Sequence, residues 1–217
     1  MVEVKFCGLT RSEDAAQAVA LGAQYAGVIF AGGPRLLDPA RAVTVLAPTL
    51  ASGTRRVGVF GAQTVQEIAN VAATAQLDVV QLSYGGLREH CMGVRAAFAG
   101  AIWAVAHVTD TAAVEAAGEW FADGINAVVL DAAVAGQLGG TGVPLDWASL
   151  GPAVARLRAR GRVVLAGGLR PENVGAALAA VSVDILDVSS GVESSPGIKD
   201  PERMRAFAAA VRAHEVE

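Results

Sequence analysis

Residues 162–191, RVVLAGGLRPENVGAALAAVSVDILDVSSG, contain the clearest structural pattern in the chain. Two short apolar runs rich in branched side chains, Arg162–Ala166 and Asp184–Val188, flank an Ala-rich amphipathic segment, Pro171–Ala180. Strands of a parallel sheet that is covered on both faces have such continuous apolar sequences, and a helix usually connects one strand to the next. The segment therefore predicts a strand–helix–strand unit.

The same alternation extends outward over the whole 217-residue chain. The predicted strands are Glu3–Cys7, Tyr25–Phe30, Arg56–Phe60, Val79–Leu82, Ala101–Ala106, Ala127–Asp131, Arg162–Ala166 and Asp184–Val188. The predicted helices are Ser12–Leu21, Pro39–Leu46, Val65–Ala75, Leu87–Phe98, Asp110–Phe121, Asp146–Arg160, Pro171–Ala180 and Pro201–His214. Eight strand–helix units indicate a closed (β/α)8 barrel, because the turn after the first strand, CGLT at 7–10, lacks the glycine fingerprint of an open doubly wound sheet. The expected fold is a single α/β TIM-barrel domain over residues 1–217.

Composition and charge exclude several classes of protein. Apolar residues make up 53% of the chain and the net charge is −4, which argues against a disordered chain and, without a basic cluster, against a nucleic-acid partner. The longest uncharged stretch, residues 15–34, contains two Gln and four Gly, so it is not expected to span a membrane. The first five residues do not resemble a signal peptide. These features predict a cytoplasmic protein with no membrane partner.

Glycine-rich loops follow the last two predicted strands. Gly167 and Gly168 follow the seventh strand, and Ser189, Ser190 and Gly191 follow the eighth. Active sites of (β/α)8 barrels lie at the C-terminal ends of the strands, where these two loops often bind phosphate. Glycine lets the backbone approach an anion closely. Either loop alone also fits an ordinary turn, but together they predict a phosphate site.

Two titratable residues end predicted strands. Cys7 ends the first strand with Lys5 two residues earlier, and a nearby cation lowers a thiol pKa, although a single Cys in an apolar run is more often an inert core residue. Asp131 ends the sixth strand, where burial would raise its pKa as a general acid requires, although a cap or an exposed rim charge fits equally well. Strands one and six are three steps apart in an eight-stranded ring. The two side chains are therefore expected to face each other across the barrel mouth. Cys91, within a predicted helix, is expected to be structural.

Several short motifs occur in one order along nearly the whole chain. They are KFCGLT at 5–10, VGVF at 57–60, LD at 130–131, GGTG at 139–142, GGLRPENV at 167–174, DVSSGVE at 187–193, PG at 196–197 and KD at 199–200. With these motifs the chain resembles the phosphoribosylanthranilate isomerase family. The resemblance implies an Amadori rearrangement of N-(5-phosphoribosyl)anthranilate to 1-(2-carboxyphenylamino)-1-deoxyribulose 5-phosphate.

The resemblance also implies roles for individual residues. The family's general base falls on Cys7 and its general acid on Asp131. Its substrate-binding positions fall on Arg35, Gly167, Gly168, Ser190 and Gly191. A guanidinium such as that of Arg35 suits the carboxylate of the anthranilate part. The anthranilate nitrogen accepts the electrons, so the family needs no cofactor and no metal. The expected partner is a small phosphosugar, and the sequence leaves open a monomer or a homodimer.

The chain departs from the family pattern at a few positions. It has Gln81-Leu82-Ser83-Tyr84 where the family usually has Gln-Leu-His-Gly, and Val143 and Ile198 replace residues that are commonly polar. His107 is a possible substitute for the missing His, but a partly buried structural role is favoured for it.

Alternative functions remain open from the residues alone. A histidine-pathway or dual-pathway aminoaldose isomerase resembles this pattern but has Asp where this chain has Cys7. A metal-dependent pentose-phosphate epimerase needs several His at strand ends, and the chain has three His in all. A non-catalytic phosphosugar-binding barrel would keep the glycine loops but needs neither Cys7 nor Asp131.

Overall fold

Eight parallel strands pair in chain order and close into a barrel, with the last strand paired to the first. The structure is a computed structural model that describes residues 1–83, 88–132 and 147–214. The barrel strands are β1 Glu3–Phe6, β2 Tyr25–Ile29, β3 Arg55–Phe60, β4 Val79–Leu82, β5 Ala101–Val108, β6 Ala127–Ala132, β7 Arg162–Ala166 and β8 Ile185–Val188. The helices are α1 Ser12–Ala20, α2 Pro39–Leu46, α3 Val65–Thr74, α4 Arg88–Ala97, α5 Thr111–Ala117, α6 Trp147–Arg158, α7 Val174–Ala180 and α8 Pro201–His214. The predicted TIM barrel is confirmed.

The sheet separates two apolar cores. Alternate side chains of a strand point to opposite faces, so Val4 and Phe6 of β1 pack outward beneath the helices while Lys5 points into the barrel. A smaller cluster fills the barrel interior, including Tyr25, Val57, Val79, Trp103, Val129 and Val164. This double burial explains the 53% apolar content. No helix in the described ranges is long and apolar enough to cross a membrane.

Side-chain caps fix the start of several helices. Asp38 accepts a hydrogen bond from the backbone N–H of Arg41 at 2.8 Å, and Pro39 occupies the first turn of α2. Thr64 and Glu67 form a reciprocal capping box at the start of α3. These caps define where α2 and α3 begin after their strands. Because the eight strands are parallel, the loops that lead from strand to helix lie together at one end of the barrel.

Some element boundaries differ from those predicted. The predicted helix Asp110–Phe121 is α-helical only to Ala117 and continues as a 3₁₀ helix over Gly118–Asp123. Helix α7 begins at Val174 rather than at Pro171, because the Asn173 side chain accepts from the N–H of Arg170 and donates to the carbonyl of Gly168, which forms a turn instead.

A short hairpin that the sequence did not predict follows β8. It consists of β9 Glu193–Ser195 and β10 Ile198–Lys199, which pair antiparallel. It brings Glu193 and Lys199 beside the loop after β2. The barrel end that carries the active site therefore includes residues from outside the eight strand–helix units.

Candidate active site

All seven residues predicted to form the site line one cavity of about 360 Å³ at the C-terminal ends of the strands. They are Cys7, Arg35, Asp131, Gly167, Gly168, Ser190 and Gly191. The cavity wall between them is largely apolar, with Ile29, Val59, Val105, Val129 and Ala166. An apolar cavity with a few placed polar groups is typical of small-molecule sites. The predicted GGTG motif at 139–142, together with Tyr84 and Val143, lies outside the described residues.

A larger hollow of about 480 Å³ lies at the opposite end of the barrel, beside α6 and the start of β7. Its arginines are already paired: Arg158 with Asp184 at 2.9 Å, and Arg162 with Glu3 at 2.5 Å. It contains none of the predicted site residues. The smaller cavity is therefore the candidate active site.

Cys7 lies one residue beyond β1, where its backbone N–H still bonds the carbonyl of Val188. A Cβ built on Gly27 of β2 would lie 3.1 Å from Cε of Lys5 and 3.2 Å from Sγ of Cys7, so the two side chains meet above a glycine that leaves them room. Lys5 Nζ donates to Asp187 Oδ2 at 2.6 Å, and neither side chain is appreciably exposed. The base candidate therefore has a buried ammonium beside it.

Burial controls the pKa of this group of residues. Burial raises the pKa of the Cys7 thiol above its ordinary 9.0, and the ammonium of Lys5 only partly offsets that effect. Burial opposes the charged form of Lys5, but the attraction of Asp187 and Cys7 outweighs it and raises the Lys5 pKa. Lys5 is thus a permanent cation next to a thiol that is mostly protonated in the free protein.

Asp131 is the penultimate residue of β6 and lies on the far side of the cavity from Cys7. Strand β6 is three steps from β1 in the closed barrel, through β8 and β7, as the sequence predicted. Burial raises the pKa of Asp131 above its ordinary 3.8, and Asp187 adds to that shift, whereas His107 and Lys5 oppose it. A carboxyl group that keeps its proton to higher pH suits a proton donor.

His107 stands directly opposite Asp131 in the ladder between β5 and β6. Its side chain is exposed, so the expectation of a partly buried structural His is wrong. The sequence placed the end of the strand at Ala106, whereas β5 continues to Val108 and carries His107 to the rim. His107 is not among the residues that line the cavity, but Ser83 is.

Arg35, in the loop after β2, is held by the hairpin that follows β8. Its guanidinium donates two hydrogen bonds to Glu193, at 2.8 and 2.6 Å. Lys199, which is buried, donates to the same carboxylate at 2.8 Å and to the carbonyl of Ser189 at 3.1 Å. Gly8 has φ +69°, and a Cβ there would lie 2.5 Å from Cδ of Arg35, so glycine permits both the turn and the approach of the arginine.

This network fixes the protonation of its members. Burial alone would raise the pKa of Glu193, but hydrogen bonds from Arg35 and Lys199 outweigh burial and lower it. The hydrogen bonds to Glu193 raise the pKa of Arg35. Burial lowers the pKa of Lys199 despite the same carboxylate. Arg35 is therefore a charged, oriented guanidinium at the cavity wall.

The two glycine loops meet at the cavity. Gly167 and Gly168 have φ of +85° and +66°, in the left-handed region that glycine adopts readily. Gly191 lies in a one-turn 3₁₀ helix, Ser190–Val192, and a Cβ there would lie 1.8 Å from the carbonyl oxygen of Leu169. Only a residue without a side chain fits between the two loops, which places their backbones side by side as an anion site needs.

Sequence reasoning assigned no role to four polar residues at this end of the barrel: Gln81, Asp187, Glu193 and Lys199. Three of them lie in the quoted motifs, but their partners are far away in the chain, as in the pair Arg35–Glu193. The available signal was a polar residue within an otherwise apolar strand, as at Gln81 in VVQL.

In the described part of the chain, no group of three or more His, Cys, Asp or Glu side chains is arranged to hold a metal ion.

Comparisons with known proteins agree on one family. The sequence family described as N-(5'phosphoribosyl)anthranilate (PRA) isomerase matches residues 4–210. A relative from Acidithiobacillus ferrooxidans named N-(5'-phosphoribosyl)anthranilate isomerase is 40% identical over 217 residues, which is 98% of each chain. A solved phosphoribosyl anthranilate isomerase from Thermotoga maritima is similar with a TM-score of 0.87 and 32% identity, covering 98% of this chain and 100% of that one. A second solved structure, with a TM-score of 0.83, 31% identity and the same coverage, is an isomerase in complex with reduced 1-(o-carboxyphenylamino)-1-deoxyribulose 5-phosphate.

Proposed function

The chain belongs to the N-(5′-phosphoribosyl)anthranilate isomerase family, and we propose that Cys7 is its general base and Asp131 its general acid. It is an enzyme of tryptophan biosynthesis that converts N-(5-phosphoribosyl)anthranilate to 1-(2-carboxyphenylamino)-1-deoxyribulose 5-phosphate. The observation that carries the assignment is that one cavity is lined from opposite sides by a buried thiol and a half-buried carboxyl group.

The reaction begins with a proton transfer from Asp131 to the ring oxygen of the ribose. The bond between C1 and the ring oxygen breaks, and the lone pair of the anthranilate nitrogen forms an iminium ion. The Cys7 thiolate then removes the proton from C2, and the electrons of that C–H bond form the C1–C2 double bond of an enolamine. Transfer of a proton to C1 and loss of the hydroxyl proton at C2 give the ketone. Acid and base act on different atoms, so they must lie on different sides of the sugar.

The two pKa shifts have opposite consequences for this chemistry. The raised pKa of Asp131 keeps more of the proton donor loaded at a given pH. The raised pKa of Cys7 leaves less thiolate at neutral pH, and Lys5 counteracts that loss. Only the minor form with a protonated Asp131 and an ionised Cys7 reacts, so Lys5 supports turnover by favouring the thiolate.

The remaining parts of the substrate are bound by groups outside this pair. Arg35, oriented by Glu193, receives the anthranilate carboxylate, because a planar guanidinium matches a carboxylate. The loops with Gly167, Gly168, Ser190 and Gly191 receive the phosphate through backbone N–H groups. Binding of the phosphate and of the carboxylate fixes the sugar between the acid and the base.

We further propose that the enzyme works in the cytoplasm, as a monomer or a homodimer. Both cysteines are free thiols, which is usual in a reducing compartment. Light scattering of the purified protein distinguishes the two oligomeric states.

A fluorescence assay of two substrates tests the function. The protein is mixed with phosphoribosylanthranilate and, in parallel, with the aminoaldose of histidine biosynthesis. We expect consumption of phosphoribosylanthranilate. Conversion of the aminoaldose alone would move the protein to the other pathway, and binding of the phosphosugar without turnover would indicate a non-catalytic barrel.

A further inference from the structure

Two buried side-chain oxygens in the wall of the cavity have no hydrogen-bond donor among the residues that the structure describes. They are Oδ1 of Asp187 and Oε1 of Gln81, in side chains that are 7% and 5% exposed. The carboxylate of Glu193 differs, because both of its oxygens accept hydrogen bonds, from Arg35 and Lys199. A buried acceptor without a donor loses its hydration without compensation. A molecule that fills the cavity and donates hydrogen bonds would relieve that cost.

Asp187 is held in place by its other oxygen. Lys5 donates to Oδ2 at 2.6 Å, and Lys5 and Asp187 are paired residues in the ladder between β1 and β8. The ion pair offsets the charge of the carboxylate, so a polar ligand can lie next to it without a counter-ion. Oδ1 remains as an acceptor of fixed position.

Gln81 occupies the corresponding inward position on β4, across the barrel from β8. Its ladder partners are Val59 of β3 and Trp103 of β5. Val59 also lines the cavity, and this part of the wall is apolar. Val59 offers Oε1 no donor, and the indole N–H of Trp103 does not bond it in the structure. An amide in such a wall is placed to orient a ligand.

The polar groups of the substrate can be matched to those of the cavity one by one. In the proposed function, Arg35 takes the carboxylate, the glycine loops take the phosphate, Asp131 acts on the ring oxygen and Cys7 on C2. The donors left on the substrate are the ribose hydroxyls at C2 and C3, because the anthranilate N–H lies ortho to the carboxylate and donates to it within the molecule. The acceptors left in the cavity wall are Asp187 and Gln81. Carboxylate and phosphate oxygens donate nothing, so they do not fit these positions.

We propose that Asp187 Oδ1 and Gln81 Oε1 accept hydrogen bonds from the ribose hydroxyls and select a hydroxylated five-carbon phosphosugar. The inference rests on the proposed function and adds the residues that recognise the sugar itself. A ligand without hydroxyls leaves both acceptors buried and unpaired, which is how a polar site rejects a less polar analogue.

The test is a cycle of two ligands and two proteins. One ligand is the reduced product, which carries sugar hydroxyls and does not react. The other is 1-(2-carboxyphenylamino)pentane 5-phosphate, which keeps both anionic ends but has no hydroxyl. The proteins are the parent and Gln81→Met, a substitution of similar volume that removes the amide. Dissociation constants are measured by calorimetry.

We expect Gln81→Met to weaken binding of the reduced product by about 3- to 10-fold, the loss of one hydrogen bond. Binding of the hydroxyl-free ligand should change by less than about 2-fold. Asp187→Asn should weaken binding of the reduced product more than Gln81→Met does, because a hydrogen bond to a carboxylate is stronger than one to a neutral group. Since Asp187→Asn also removes the partner of Lys5, only the ratio between the two ligands is interpreted for that variant.

Equal effects on both ligands, or no effect on either, would overturn the proposal. Gln81→Leu and the melting temperatures of all variants control for misfolding: if Gln81→Met does not fold, the ratio is taken from Gln81→Leu. Failure of the proposed function looks different, because the parent protein would then not consume phosphoribosylanthranilate, whether or not it binds the reduced product.

Discussion

The two ends of the barrel differ in how their charged side chains are partnered. At the N-terminal end Glu3 accepts from Arg162 at 2.5 Å, and the guanidinium of Arg55 lies 4.4 Å from the ring centroid of Tyr25. These arginines and Glu3 are also partly exposed. At the C-terminal end Cys7 and Asp187 lie deep in a cavity wall, and one oxygen of Asp187 has no donor among the described residues.

This difference indicates that the N-terminal end contributes to stability, whereas the C-terminal end carries the reacting groups. Charged side chains at the N-terminal end form ion pairs with one another while they remain in contact with water. Tyr25 lies at the same end, and burial is the largest of the causes that raise its pKa to about 12, so its phenol stays neutral. At the C-terminal end burial raises the pKa of Cys7 and Asp131, which perturbs groups that act on protons. Substitutions at one end should therefore change activity, and those at the other should change stability only slightly.

The largest effect is expected for Cys7→Ala. Removal of the base should lower kcat by about 100-fold or more, because a positioned general base contributes about that much. Cys91→Ala, in α4 outside the cavity, should leave kcat within about 2-fold and serves as the matched control. Equal losses in the two variants would mean that the thiol acts through folding rather than through catalysis.

A shift of intermediate size is expected in the reactivity of the thiol. The rate of alkylation of Cys7 by iodoacetamide, followed by peptide mass spectrometry, should rise with pH around a pKa above the ordinary 9.0. In Lys5→Met the midpoint should move to still higher pH, because the ammonium that favours the thiolate is gone. Lys5→Arg keeps the cation, so its midpoint should lie close to that of the parent protein.

The sign of that shift distinguishes the two models of Lys5. If Lys5 only fills space, Lys5→Met alkylates with the parent's pH midpoint. The reduced product should protect Cys7 from alkylation and leave the rate at Cys91 unchanged, since only Cys7 lines the cavity.

The smallest effect is expected at the N-terminal end. Glu3→Gln weakens its pairs with Arg162 and Arg55, which are partly exposed, and such pairs contribute about 0.2–1 kcal/mol each. In urea unfolding, the free energy of unfolding should fall by no more than about 1–2 kcal/mol. The value of kcat/KM should stay within about 2-fold of the parent's. A large loss of activity in Glu3→Gln would contradict the division between the two ends.

The sequence was sufficient for the barrel and for the position of the seven predicted site residues at one end of it. Apolar runs buried on both faces have a pattern that local sequence reveals, and the position of a residue at a strand end follows directly from it. That is why Cys7, Asp131 and the two glycine loops were expected at one end, whereas Arg35 was expected there from the family resemblance. All of them line one cavity.

The partners of these residues could not be predicted in the same way. The Arg35–Glu193 pair joins residues 158 positions apart, and it depends on a hairpin of three- and two-residue strands, too short to show a period. His107 was misplaced for a related reason: the run that predicts β5 loses its apolar pattern before the strand ends at Val108. Local sequence gives the strands, whereas the closing of the barrel sets which polar groups meet.

The most direct test of the account is the kcat of Asp131→Asn, measured beside its affinity for the reduced product. The substitution removes the transferable proton and keeps the shape of the side chain. We predict that kcat falls by about 100-fold or more, while the dissociation constant of the reduced product stays within about 3-fold of the parent's. Turnover close to that of the parent protein would contradict the assignment of Asp131 as the acid that faces Cys7 across the cavity.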